Sequence, residues 1–165
     1  MNRVLKRRRR ECKTDYKARR IMLESGLRRI VIRRTNKYFI LQLVDSVMAQ
    51  DRVLLTMSSK KLLEYNWDGG KIGSLKSIPA AYLCGLLFTQ KIKTGKLGSE
   101  KVIVDLGMSR TLAGCKMFAV VAGLVEGGLD ISANEKVFPP KERLTGEHCG
   151  LKDLVEKVRE GVLNA

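Results

Sequence analysis

The sequence predicts an α/β domain: a mixed sheet of three antiparallel strands, then a helix-strand-helix unit, with a basic N-terminal arm and a C-terminal helix. Three observations carry this. Three β-branched or apolar runs, at residues 29–34, 38–44 and 52–57, follow one another with only turn residues between them. Two long apolar segments then flank a short fourth run at residues 101–106, which adds a helix, a strand and a helix to the sheet. The charge is lopsided: residues 1–37 carry 15 Lys and Arg against 3 acids, whereas residues 38–165 carry 17 against 14. The chain divides accordingly into an arm with a short helix (1–26), a globular α/β domain (27–132) and a C-terminal extension with a helix (133–165).

Each element has a local reason. Residues 6–10, Lys6 and four arginines, repel one another and offer no apolar face, so they are expected to be disordered until phosphates screen them. Thr14 is suited to cap a short helix with Asp15 in its first turn. Ala18, Ile21, Met22 and Ser25 form its apolar seam, Lys13, Lys17, Arg19 and Arg20 its cationic face, and Gly26 ends it. Residues 35–37 and 45–51 supply the turns between the strands. A short helical turn over 60–65 and a glycine-rich loop over 68–74 lead to Ser77 and Pro79, which open a helix to about residue 93, apolar on most of its circumference and so deeply buried. A helix over residues 113–126 ends at Gly127-Gly128. Beyond Pro139-Pro140, Leu151, Leu154, Val155, Val158 and Val162 fall at helical spacing on a last helix.

Composition excludes several functions. A net charge of +15 on 165 residues argues for a polyanionic partner over a small neutral substrate. No apolar stretch exceeds about nine residues, too few for a bilayer span. The arginines Arg7 to Arg10 are contiguous, with Glu11 and Asp15 close behind, unlike an amphipathic, acid-poor presequence. The cationic helix lacks a Trp or Phe on its apolar side, which disfavours a membrane surface. Cys12, Cys84, Cys115 and Cys149 form no CxxC pair, so no metal site is read, and they suit free thiols.

Catalysis finds no footing either. The element order is also that of ribonuclease-H-like nucleases, which need several converging carboxylates for two metal ions, but here only Asp105 is suitably placed. His148 beside Cys149 need not face it, and Gly69, Gly70 and Gly73 lack the spacing of a Walker loop. The sharper constellation is the hairpin Arg33-Arg34-Thr35-Asn36-Lys37-Tyr38, where guanidinium groups, an amide, an ammonium and an aromatic ring suit phosphate and base contacts. Joined to the arm and helix, it is expected to make one long basic surface.

Residues 8–19, RRRECKTDYKAR, resemble the RRREGKTDYxAR opening of the archaeal and eukaryotic branch of the 5S-rRNA-binding large-subunit ribosomal proteins, the universal L18 family with its eukaryotic L5 type. Residues 33–37, RRTNK, are similar to the family's RRSNK hairpin, and residues 79–87, PAAYLCGLL, to its PAAYLTGLL helix. A later series agrees in order: Val104-Asp105-Leu106-Gly107, Phe118-Ala119, residues 127–131 and Pro140-Lys141-Glu142-Arg143. The chain departs from the pattern at Cys12, where the motif has glycine, in the loop of residues 68–78, and after Arg110, where the family has proline.

The resemblance implies the noncatalytic, ribosomal L18/S11-type branch of the ribonuclease-H-like fold, docked on 5S rRNA in the central protuberance of the cytoplasmic ribosome. It implies contacts to large-subunit rRNA and to a neighbouring 5S-binding ribosomal protein, with no cofactor, no membrane and no homo-oligomer. The RNA-binding residues expected from both readings are Arg7, Arg8, Arg9, Arg10, Lys13, Thr14, Tyr16, Lys17, Arg19, Arg20, Arg33, Arg34, Asn36, Lys37, Arg110 and Lys116. The alternatives are a nonspecific basic nucleic-acid binder and a ribonuclease-H-like nuclease.

Overall fold

A computed structural model of the chain describes residues 4–67, 75–97 and 101–163, so the glycine-rich loop of residues 68–74 lies outside the described residues. Strands β1 (Arg29–Arg34), β2 (Phe39–Val47), β3 (Gln50–Ser58) and β4 (Ile103–Asp105) form one sheet in the order β3-β2-β1-β4. β1 pairs antiparallel with β2, β2 antiparallel with β3, and β4 parallel with β1. The parallel pair needs a crossover, which helix α3 (Ile78–Thr94) supplies.

Strand alternation sorts the two faces of the sheet. Ile30, Ile32, Phe39, Leu41, Leu43 and Met57 are buried in the core with α3 and helix α4 (Lys116–Glu126). Each large side chain taken fully from water contributes about 1.5–3 kcal/mol. Ser77 caps α3 by accepting from the Ala80 N–H, and Pro79 sits in its first turn, where its missing N–H costs nothing. α3 and α4 touch backbone to backbone: a Cβ on Gly85 would collide with the Val120 carbonyl, and one on Gly123 with the Tyr82 carbonyl. Thr89 contacts Leu124 and Gly127 further along, so the two helices run in the same direction. Burial pushes the Cys84 thiol far above its ordinary range, which leaves it protonated. Helix α6 (Lys152–Leu163) closes the core with Val155, Val158 and Val162, as its spacing predicts, and half-buries Leu151 and Leu154.

Several local expectations are corrected. The arginine block is not disordered: Arg7–Arg10 form one helical turn, α1, whose repulsion is offset by ion pairs of Glu11 with Arg7 (3.1 Å) and Lys13 (3.0 Å). Helix α2 (Tyr16–Glu24) is capped by Asp15, not Thr14; Asp15 accepts from the Lys17 and Ala18 N–H groups, while the Thr14 hydroxyl accepts from Arg8 Nε at 2.9 Å. Of the expected seam only Met22 is half-buried; Ala18, Ile21 and Ser25 are exposed, and Tyr16, Arg19 and Leu23 turn inward with Met22 instead. Arg19 on this side of the helix pairs with Asp51 of β3 at 2.8 Å.

The turn between β2 and β3 is shorter than residues 45–51. The strands continue to Val47 and resume at Gln50, and Met48 and Ala49 both take positive φ (50° and 63°), the backbone of a two-residue hairpin normally marked by Asn-Gly. Strand β4 is shorter than predicted, and helix α4 begins later because residues 106–115 form turns that return the chain from the sheet edge. A short helix, α5 (Lys141–Leu144), follows Pro140 where only a break is expected.

Candidate nucleic-acid interface

The face of the sheet opposite α3 carries Arg29, Val31 and Arg33, and α2 lies against it. Arg29 is 2% exposed, an uncommon fate for a guanidinium, and it is balanced by charge from two strands. Its Nη2 donates to Asp51 Oδ1 at 2.7 Å and to the Ser46 hydroxyl at 3.1 Å, and its Nη1 stands 3.7 Å from Asp105 Oδ2. Asp51 also accepts from Arg19 of α2 at 2.8 Å, so one carboxylate joins the helix, β1 and β3. Partial burial works against the charge of Asp51, but hydrogen bonds from Ser46 and Arg19 and the charges of Arg29 and Arg19 outweigh it and hold its pKa below the ordinary 3.8.

Asp105, the one acid placed for metal chemistry, is consumed by the fold. It accepts from Arg33 Nη2 at 3.0 Å and from the Gly107 N–H at 2.7 Å. Among the described residues no three of His, Cys, Asp and Glu are grouped to hold a metal ion. His148 Nδ1 lies 3.4 Å from the Glu142 carbonyl and the Cys149 thiol donates to the Gly146 carbonyl, so each of the pair is directed at the backbone.

Two cationic groups emerge in place of one continuous surface. The first surrounds a cleft of about 650 Å³ between the arm, α2 and the turn after β4, and gathers Arg8, Lys13, Thr14, Tyr16, Arg19 and Arg33. Lys6 Nζ stands 4.6 Å from the centre of the Tyr16 ring. The second lies on the other side of β1. Lys116, at the start of α4, has its pKa lowered by desolvation and then by the charges of Lys76, Arg34 and Arg143. Lys76 reaches back to the hairpin, donating to the Asn36 carbonyl at 2.8 Å.

Adjacent strand residues point to opposite faces, so Arg33 turns to the cleft and Arg34 to the second group. Lys76 and Arg143 were missed because only the tertiary fold brings them to Lys116. Of the remaining expected residues, Arg7, Arg9, Arg10, Lys17, Arg20, Lys37 and Arg110 are exposed and belong to neither group. The Tyr38 ring is half-buried, with Lys60 Nζ 4.6 Å from its centre.

Fold and site together define a basic α/β binding domain with no catalytic constellation among the described residues. Residues 2–100 match the family of ribosomal large subunit proteins 60S L5 and 50S L18. Large ribosomal subunit protein uL18 of Methanoregula boonei is 42% identical over 142 residues, 86% of this chain and 78% of the relative. The uL18 proteins of Korarchaeum cryptofilum (36% identical; 93% of this chain, 75% of the relative) and Methanocorpusculum labreanum (34% identical; 95% and 91%) are also similar. The chain belongs to this family of ribosomal proteins, which is not a family of enzymes.

Proposed function

We propose that the protein is a structural constituent of the large ribosomal subunit that binds 5S rRNA and helps anchor it in the central protuberance of the cytoplasmic ribosome. Large-subunit rRNA and a neighbouring 5S-binding ribosomal protein are the further partners of this reading, and the sheet with its parallel β4 serves as a noncatalytic scaffold of ribonuclease-H-like type. The observation that carries it is the pair of cationic groups on either side of β1, which a folded RNA can engage from two directions. Family membership supports the ribosomal setting. Arg7 to Arg10, Lys13, Lys17 and Arg20 neutralise phosphates in this reading, while Arg33, Arg34, Asn36 and Lys37 fix register.

The test is competition between labelled 5S rRNA and an unrelated RNA of equal length at physiological salt. The full chain is expected to prefer 5S rRNA by at least about tenfold. Arg8→Ala/Arg9→Ala/Arg10→Ala should weaken binding and flatten its salt dependence. Equal affinity for both RNAs overturns the specific reading and leaves a generic polyanion binder.

A further inference from the structure

The cleft beside the arm is larger and chemically more mixed than phosphate binding alone requires. Its lining carries Arg8, Lys13, Arg19 and Arg33, while Met22, Leu106 and Met108 add apolar surface and Tyr16 an aromatic ring. The two acids that line it are occupied: Asp15 Oδ1 accepts the Lys17 and Ala18 N–H groups, and Asp105 accepts from Arg33 and Gly107. Four cations line the opening against these two acids, so the lining carries an excess of positive charge. Arg33 is held across the floor, its Nη1 donating to the Asp105 carbonyl at 2.9 Å. It fits there because Gly107 has no side chain, since a Cβ on that residue would press on the guanidinium.

A concave site with a cationic lining, an aromatic ring and an apolar wall matches one class of ligand: an anionic phosphate joined to a flat, apolar-faced base. Building on the RNA-binding reading above, we propose that this cleft receives one unstacked nucleotide of the bound RNA, its phosphate at Arg8 and Lys13 and its base against Tyr16, Met22 and Met108. Proteins that recognise RNA by sequence or shape take unpaired bases in this way, because a splayed base exposes faces that a duplex hides. The arm then acts as one wall of a pocket as well as a source of charge. Its helical turn and the Arg8–Thr14 hydrogen bond hold that wall in place.

The test compares a short RNA duplex carrying a single bulged 2-aminopurine with the same duplex fully paired, using the full chain. The bulged RNA is expected to bind ~5- to 150-fold tighter, the range that stacking one base provides, and its fluorescence to change on binding. Ala18→Trp fills the cleft from an exposed position of α2 without removing a charge. It should abolish the preference while leaving the affinity for paired duplex, its salt dependence and the thermal melting unchanged. Tyr16→Ala should reduce the preference in the same direction. The proposal is overturned by equal affinity of the wild-type chain for both duplexes, or by a preference that survives Ala18→Trp. Displacement of the bulged RNA by a free mononucleotide as readily as by unlabelled bulged RNA also overturns it, since the cleft would then serve a free ligand. A bulge preference without a 5S preference would retain the cleft and reject the 5S reading.

Discussion

Residues 4–24 and the α3-α4 pair are built by opposite rules. α1 and α2 bury no residue fully and are held by ion pairs and hydrogen bonds, whereas α3 alone buries thirteen residues and meets α4 with no side chain between their backbones at two glycines. Surface ion pairs contribute little each, roughly 0–1 kcal/mol, while closely packed helices tolerate almost no added volume. Stability therefore resides mainly on the α3-α4 side of the sheet, and the arm with α2 adds little to it. Charge changes on the arm are thus expected to cost little stability, and added volume at the helix crossing to cost much.

The strongest break of that contrast is Gly123→Ala. The added methyl meets the Tyr82 carbonyl, a backbone atom that cannot swing aside, and the variant should lose about 3 kcal/mol or more in urea unfolding. An unfolding midpoint equal to wild type would show that the helices can separate.

A smaller effect is expected at the seam between the two regions. The pKa of Asp51 lies below its ordinary 3.8 in the folded chain, so its pairing stabilises fully above that value and is lost as pH falls through the folded pKa. Thermal melting should thus fall steeply below about pH 4, and Asp51→Asn should flatten that acid limb at the cost of a lower plateau near neutrality. An unchanged acid limb would mean that the Arg19–Asp51–Arg29 bridge does not hold the arm to the sheet.

The smallest effect belongs to the arm itself. Cys12 takes φ +50° at an exposed position, a conformation that costs a side-chain-bearing residue about 1 kcal/mol and glycine nothing. Cys12→Gly should raise amide-exchange protection around Lys13 and leave global melting where it was. A shift in global melting would show that the arm and the core unfold together.

Much of the core was legible before the structure, since it rests on local signals. The Ser77-Pro79 start, the unbroken apolar run behind it and the Val155-Val158-Val162 spacing depend on neighbours a few residues away. The Met48-Ala49 turn was hidden because two ordinary residues adopt a backbone that glycine or asparagine usually announces. The orientation of α2 was misread because its inward side is mixed: Arg19, paired with Asp51, is half-buried beside Met22 and Leu23, so apolar spacing alone does not mark it. At the interface the residue types were legible but their grouping was not. Arg33 and Arg34 are neighbours in sequence and diverge in space, while Arg34, Lys76, Lys116 and Arg143 are distant in sequence and converge.

The glycine crossing of α3 and α4 also has a metric consequence. Lys76 precedes one of these parallel helices and Lys116 begins the other, so the closest approach of the two backbones sets the spacing between their leading cations. The missing side chains at Gly85 and Gly123 thus govern, from deep inside the molecule, how near two surface charges stand, and a bulkier residue at either would change that spacing.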